Sequence, residues 1–160
     1  MENMMNKLPA ALYSFLAVYT TAMVTTYLVH TGLVDFYDYL DKPLITPSHD
    51  YFRYVWNIIY FLLFTGFYMA LTSKQDTDQF LDLNALFIIQ LFLQIIWAYC
   101  FFYLQQINTG AFVIILLDIV GALLMHSLLF INLLSFFFIL PYFLWLLFAT
   151  YLNIFLIFLN

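Results

Sequence analysis

Charged residues are scarce in this 160-residue sequence, and basic residues are the scarcest. Only 8% of the residues are charged, with 4 Lys and Arg against 9 Asp and Glu, and the formal net charge is −5. A soluble domain carries about 25% charged residues because its surface faces water. A chain with so little charge cannot cover its exterior with polar groups, and so few cations exclude nucleic-acid binding.

Cysteine and histidine are also rare. The single cysteine, Cys100, lies in an apolar run and is interpreted as a packing residue with no redox or metal role. His30, His49 and His126 are scattered along the chain. Since no nucleophile–base pair, phosphate loop or metal-binding spacing is present, the sequence predicts no metal site and no required cofactor.

Hydrophobic residues make up 66% of the sequence and form five continuous blocks. Each block is about as long as a membrane-spanning helix, and none shows the alternation of a transmembrane β-barrel. The first is too long for a cleaved signal core, so we interpret it as a retained span. The sequence predicts a single domain over residues 1–160, an all-α integral membrane protein whose bundle of five transmembrane helices contacts the lipid bilayer. The predicted spans cover residues 8–29, 51–72, 80–104, 111–131 and 133–159.

The links between the blocks are very short except for the first, which covers residues 30–50. A loop of this length in a compact fold is commonly functional. Its aromatic and aliphatic residues make it too apolar for a solvated tail. We therefore expect it to pack as a lid over one end of the bundle.

Polar and aromatic residues inside the spans fall on helical stripes. Positions that face lipid need only be apolar, so polar groups mark interior surfaces. Two interpretations remain open: an aromatic cavity for a flat hydrophobic ligand, or packing in which amides bond across helices. The stripes are Phe52, Trp56, Tyr60 and Phe67 in the second span, Gln90, Gln94, Trp97 and Phe101 in the third, and Tyr142, Trp145, Ala149 and Asn153 in the fifth.

Asp118 lies near the middle of the fourth span. An ionised carboxylate exposed to lipid at that depth is costly, so the side chain must be protonated, paired or turned inward. It is interpreted either as a ligand-contacting or proton-handling group, or as a protonated or hydrogen-bonded structural residue.

These stripes resemble the TspO/MBR family, the tryptophan-rich sensory proteins related to the mitochondrial translocator protein (peripheral-type benzodiazepine receptor). Departures from the family pattern include Ile45, Ser48, Tyr54 and Gln94, which stand where Trp, Pro, Pro and Asn are usual. The matching residues are Phe36-Tyr37, Leu40, Lys42-Pro43, Thr46-Pro47, Phe52, Val55-Trp56, Tyr60 and Gly66, then Gln90-Leu91, Trp97 and Asp118, and finally Pro141-Tyr142-Phe143-Leu144-Trp145, Phe148-Ala149-Thr150-Tyr151-Leu152-Asn153 and Leu159-Asn160.

The resemblance implies a membrane receptor or transport-type protein that binds protoporphyrin IX, haem and other flat hydrophobic ligands in a cavity capped by the first loop. Some family members degrade protoporphyrin in light, which gives Trp56 and Trp145 an alternative, catalytic role. Further alternatives are a scaffold without a ligand and a sterol-binding protein. The implied ligand-binding residues are Tyr37, Pro47, Phe52, Trp56, Tyr60, Gln94, Trp97, Asp118, Trp145 and Ala149.

Assembly and location are also implied by the resemblance. The family often forms homodimers, and Gly66 and Ala70 permit close helix approach in the second span. The sterol-recognition segment of animal members would follow the last span, and this sequence ends at Asn160. A bacterial plasma or inner membrane is therefore favoured over the mitochondrial outer membrane.

Overall fold

The computed structural model describes residues 5–160, in which five long helices form a closed ring. The order around the ring is α1, α2, α5, α4 and α3, and α3 packs back against α1. All five spans are long and apolar enough to cross a membrane. The predicted all-α bundle of five transmembrane helices is confirmed. The helices are α1 (Lys7–Leu33), α2 (His49–Leu71), α3 (Thr77–Ala98), α4 (Ile107–Ile131) and α5 (Leu133–Leu159).

Polar caps begin three of the helices. The Ser48 hydroxyl accepts a hydrogen bond from the Tyr51 N–H at 3.4 Å at the start of α2. The Asp76 side chain accepts a hydrogen bond from the Gln79 N–H at 2.8 Å, and the Gln79 side chain accepts one from the Asp76 N–H, which forms a capping box. Asn132 accepts from the Ser135 N–H at 3.0 Å and starts α5. Because capped first turns are polar, α3 begins three residues before its apolar block, at Thr77.

The inward face of α1 is a stripe of small and weakly polar residues. They recur every three or four positions, so they lie on one side of the helix. Small side chains allow neighbouring helices to approach closely in a membrane. The stripe consists of Ala10, Ser14, Val18, Thr21, Thr25, Leu28 and Gly32.

Beyond Ala98, α3 continues into a π-helical turn, Tyr99–Tyr103. The Leu104 N–H donates to the Tyr99 carbonyl oxygen, five residues earlier, at 2.9 Å. Such a turn changes the direction of the side chains that follow it and is frequent at functional sites. Here it buries the rings of Phe101 and Phe102 inside the bundle.

The lid, residues 34–48, joins α1 to α2 and contains a 3-10 turn at Tyr37–Tyr39. It is shorter than the predicted loop because both flanking helices extend into it. Its middle is fastened to the end of α5: the Asp41 N–H donates to Asn160 Oδ1 at 2.9 Å, and Asn160 Nδ2 donates to the Asp41 carbonyl oxygen at 3.1 Å. The lid therefore packs across the end of the bundle where α1 ends and α2 begins.

Gly66 is used for helix packing within the chain. A Cβ atom at this position would lie 2.6 Å from Cγ1 of Ile139, so α2 and α5 approach closely here. Ala70, one turn further along α2, is also buried. This small-residue face is thus occupied inside the bundle and does not provide an open surface for a partner.

Candidate ligand-binding cavity

A cavity of about 370 Å³ lies between α1, α2, α3 and α5 beneath the lid. Its volume falls within the range of small-molecule binding sites. Within residues 5–160, α4 contributes nothing to its lining, because α4 lies on the far side of the ring. Six aromatic side chains from the helices form much of the wall: Phe52, Trp56, Tyr60, Trp97, Phe101 and Phe102.

The aromatic residues of α2 recur every four positions and therefore share one face of the helix. The ring centroids of Phe52 and Trp56 are 6.5 Å apart, and those of Trp56 and Tyr60 are 5.5 Å apart. On the α3 side, Trp97 stacks on Phe101 at 6.1 Å. These rings present extended apolar faces to the cavity, and such faces are suited to stacking against a flat ligand.

A chain of hydrogen bonds joins three helices at the cavity wall. Gln94 Nε2 donates to the Tyr60 hydroxyl at 3.0 Å, and that hydroxyl lies 2.6 Å from Thr25 Oγ1. Thr25 Oγ1 donates to the Thr21 carbonyl oxygen at 2.8 Å. Because polar groups in a membrane span need internal partners, this chain fixes the positions of α1, α2 and α3 around the cavity.

The indole of Trp97 is held by α5. Its Nε1 donates to Asn153 Oδ1 at 3.4 Å, and Asn153 Nδ2 donates to the Ala149 carbonyl oxygen at 3.0 Å. Ala149 itself lines the cavity and is buried. Its methyl group leaves space that a larger side chain would fill.

The lid contributes Tyr37 and Pro47 to the cavity. The ammonium group of Lys42 lies 4.9 Å from the centre of the Tyr37 ring, a cation–π contact, and donates to the Asp38 carbonyl oxygen at 3.2 Å. Burial, and to a lesser extent the nearby Asp38 carboxylate, raises the pKa of the Tyr37 phenol to about 12. This phenol is therefore a neutral hydrogen-bond donor throughout the physiological pH range.

Ionisable side chains lie at the rim of the cavity, where α1 ends and α2 begins. His30, His49 and Arg53 all belong to the lining. Arg53 pairs with Asp50 at 2.8 Å and His49 with Asp38 at 3.0 Å, and all four side chains are well exposed. Histidine and arginine at this rim can bond a carboxylate on a bound ligand. Within residues 5–160, no group of three or more His, Cys, Asp or Glu side chains could hold a metal ion.

Eight of the ten predicted ligand-binding residues come together around the cavity. Their role in binding stays a prediction. The eight are Tyr37, Pro47, Phe52, Trp56, Tyr60, Gln94, Trp97 and Ala149.

Trp145 does not line the cavity, although it shares a helical stripe with Ala149. Its ring packs against Phe52 at 5.3 Å and lines a separate outer groove with Ile45, Tyr51 and others. Phe52 itself lines the cavity, and Pro47 lines both the cavity and the outer groove. Trp145 is thus absent from the cavity lining, and its predicted role in binding stays a prediction.

Asp118 does not line the cavity either. It lies on α4, where it faces Thr150 of α5, and its Oδ1 is buried without a hydrogen-bond partner among residues 5–160. Gly121, one turn further, has a backbone that passes close to the Phe143 ring. Asp118 thus lies in the contact between α4 and α5, and the position of α4 in the ring excludes it from the cavity.

The contribution of α1 to the cavity and part of the rim are not predicted by the sequence patterns. Thr25, Val29 and His30 line the cavity from α1, and His30 and His49, far apart in sequence, both reach its rim. The signal for α1 is present in the sequence, since the buried stripe that includes Thr21 and Thr25 has regular helical spacing. Phe102 gives no such signal, because the π-helical turn determines its direction.

Comparison with known proteins agrees with the family resemblance found in the sequence. A model of the TspO/MBR family matches residues 10–159, which include nearly all of the five helices. "Tryptophan-rich protein TspO" of Archaeoglobus fulgidus is 31% identical over 140 residues, covering 88% of this chain and 90% of the relative. The resemblance found in the sequence is thus confirmed. The chain belongs to the TspO/MBR family and is a multi-pass integral membrane protein.

Proposed function

We propose that this protein is a membrane receptor or transport-type protein that binds flat hydrophobic ligands, with porphyrins such as protoporphyrin IX and haem as the expected class. The observation that carries the proposal is the aromatic cavity of about 370 Å³ between α1, α2, α3 and α5. A bundle used only as a scaffold has no need of such a space, since interiors otherwise pack densely.

Stacking and burial would supply most of the affinity. The rings of Trp56 and Trp97 offer apolar faces to a planar ligand, and burying those faces releases water or lipid from both surfaces. Porphyrin carboxylates would remain at the rim, where His30 and Arg53 can bond them. The ligand would thus lie with its apolar edge inward and its charged edge towards the lid.

Ligand titration of the purified protein in detergent tests the proposal. Trp56 and Trp97 line the cavity, so protoporphyrin IX should quench tryptophan fluorescence with a saturating dependence on concentration. Haem and a sterol, titrated in parallel, determine the ligand class. Absence of saturable quenching by either tetrapyrrole would contradict the proposal and favour a scaffold, whereas saturation by the sterol alone would favour sterol binding.

Two matched substitutions of alanine by leucine, one in the cavity wall and one away from it, identify the binding site. Ala149→Leu extends a side chain into the cavity and should weaken protoporphyrin IX binding by at least about tenfold, because the added carbons occupy the ligand's space. Ala122→Leu makes the same change at an exposed position of α4 and should bind like wild type. Equal affinity of Ala149→Leu and Ala122→Leu would place the ligand elsewhere.

A homodimer in the bilayer is proposed as the assembly, from the family resemblance. Light scattering of the protein in detergent measures the mass directly. Since Gly66 packs against Ile139 within one chain, a dimer contact would have to use another surface.

A further inference from the structure

The outer groove adjoins the cavity at the lid end of α2 and α5. It has a volume of about 520 Å³ and is lined by Ile45, Pro47, Ser48, Tyr51, Trp145 and Phe148. Pro47 also lines the cavity. On α2, Tyr51 lines the groove and the next residue, Phe52, lines the cavity. On α5, Phe148 and Ala149 are divided in the same way. The two spaces therefore lie on either side of the contact between α2 and α5, with one lid residue common to both.

Aromatic side chains in apolar contact fill the layer between the groove and the cavity. The ring centroids of Phe52 and Trp145 are 5.3 Å apart. Trp145 also contacts Tyr51 at 6.4 Å and Phe148 at 5.3 Å, and its Nε1 has no hydrogen-bond partner among residues 5–160. Side chains held by packing alone can change rotamer without breaking a hydrogen bond. Rotation of the Phe52 and Trp145 rings would thus join the groove to the cavity.

The lid, in contrast, is fastened by polar contacts. Asp41 exchanges two hydrogen bonds with Asn160 of α5, at 2.9 and 3.1 Å, and Asp38 pairs with His49 of α2 at 3.0 Å. A ligand that enters past a raised lid breaks these contacts, whereas one that displaces the two rings breaks none of them.

The outer side of the groove continues into the apolar surface of the bundle. Tyr51 shares its face of α2 with the exposed residues Tyr54 and Ile58, at helical spacing. Phe148 lies one turn from the exposed Leu144 on α5. Exposed apolar residues of a membrane span contact acyl chains, so a ligand dissolved in the bilayer can reach the groove.

We infer that the outer groove is the entrance through which flat hydrophobic ligands pass from the bilayer into the cavity, between α2 and α5. The inference rests on the proposed function and specifies how its ligand is taken up. The groove lies at the same end of the bundle as the rim residue Arg53. The carboxylates of protoporphyrin IX would therefore stay near the water boundary while the ring moves sideways, and no charge would cross the apolar interior.

A covalent block of the groove tests the inference. Ile45→Cys places a thiol in the groove, and Leu44→Cys places one on the preceding lid residue, which is fully exposed and lines neither space. Both variants also carry Cys100→Ala, so that a bulky maleimide reacts at one position. Protoporphyrin IX is mixed rapidly with each protein in phosphatidylcholine nanodiscs, and the quenching of tryptophan fluorescence gives the association and dissociation rate constants.

Labelling of Ile45→Cys should lower both rate constants by at least about tenfold and leave the dissociation constant unchanged, because a blocked path raises the barrier and not the energy of the bound state. Labelling of Leu44→Cys should change neither rate constant. Unchanged rates in labelled Ile45→Cys, or equal slowing of the two variants, would overturn the inference. A loss of affinity without slower association would also overturn it, since the ligand would then occupy the groove itself.

Three unlabelled variants cover the case in which the labelled protein does not stay folded. Trp145→Ala removes a ring from the layer and should raise both rate constants several-fold. Phe155→Ala removes a ring of α5 that lines neither space, and Asn160→Ala releases the lid from α5, so both should keep the wild-type rates. Wild-type rates in Trp145→Ala would overturn the inference, and faster association in Asn160→Ala would show entry past the lid and overturn it.

The same measurements separate the inference from the proposed function. If protoporphyrin IX binds saturably and neither the label at Ile45→Cys nor Trp145→Ala alters its rates, the inference fails alone. If protoporphyrin IX does not bind the wild-type protein, the proposed function fails.

Discussion

Gly32 of α1 packs directly against the backbone of Phe102 in the π-helical turn. A Cβ atom at Gly32 would lie 2.1 Å from the Phe102 carbonyl oxygen. Gly110, at the start of α4, packs less closely against the neighbouring Phe101, whose ring atom Cδ2 would lie 2.9 Å from an added Cβ. Two glycines from different helices thus enclose the turn that carries two aromatic residues of the cavity wall.

Gly32→Ala should therefore damage both stability and binding. The new methyl group meets backbone atoms, which cannot rotate away, and we expect a loss of about 1–3 kcal/mol in the free energy of unfolding. Because the turn must move, affinity for protoporphyrin IX should also fall. Thermal unfolding in detergent and fluorescence titration measure the two effects.

Gly121→Ala is the matched control for this substitution. Its added Cβ would meet the ring of Phe143 at 3.0 Å, a side chain that can shift slightly, and Gly121 does not line the cavity. We expect a smaller loss of stability and wild-type affinity. If both variants lose affinity equally, the packing of Gly32 on the turn is not what shapes the cavity.

The number and order of the spans could be predicted from sequence because each depends on local composition. The fourth and fifth spans are separated by Asn132, which ends one helix through its backbone and caps the next with its side chain. Such polar interruptions are visible in the sequence. Burial depends on contacts between helices, so the distinction between Ala149 inside the cavity and Trp145 outside it is not visible there.

Trp145 illustrates the limit of helical periodicity. Spacing on α5 correctly predicts that Trp145 and Ala149 share a face, but it does not specify what lies in front of that face. Here Phe52 of α2 packs on the Trp145 ring and separates it from the cavity. A residue on another helix thus covers the Trp145 ring, and a single sequence contains no direct record of that contact.

Tyr37 should make the lid sensitive to alkaline pH. Its pKa is raised from 10.0 to about 12, chiefly by burial, so the folded protein retains the phenolic proton more strongly than the unfolded chain. The contribution of the neutral Tyr37 phenol to the free energy of unfolding is complete below pH 10 and is lost as pH rises towards 12. Tyr37→Phe should reduce this loss in thermal unfolding measured across that range. Tyr39→Phe, at a neighbouring residue that is 83% exposed, should behave like wild type, and identical profiles for both variants would contradict the expectation.

Asp118→Asn should leave ligand binding unchanged. The carboxyl group lies between α4 and α5, away from the cavity, so a neutral side chain of the same size alters no atom of the lining. Stability should be kept or slightly raised, because an amide avoids the cost of a charge in the span. Titration with protoporphyrin IX and thermal unfolding check both expectations. A large loss of affinity would show that Asp118 acts on the ligand despite its position.

Light-dependent degradation of protoporphyrin IX, the alternative that the family resemblance implies, is expected to depend unequally on two tryptophans. An indole acts as a redox partner of an excited porphyrin only at short range. Trp56 lines the cavity, whereas Trp145 lies behind Phe52. Where illumination degrades the bound porphyrin, Trp56→Phe should slow the decay several-fold and Trp145→Phe should leave it close to the wild-type rate.

Absorbance decay under constant light measures both variants against a dark control. Saturating porphyrin is used so that a change in decay rate reports the chemistry and not the affinity. Equal slowing by the two substitutions would contradict this expectation and would require the Trp145 indole to exchange electrons with the porphyrin across the Phe52 ring.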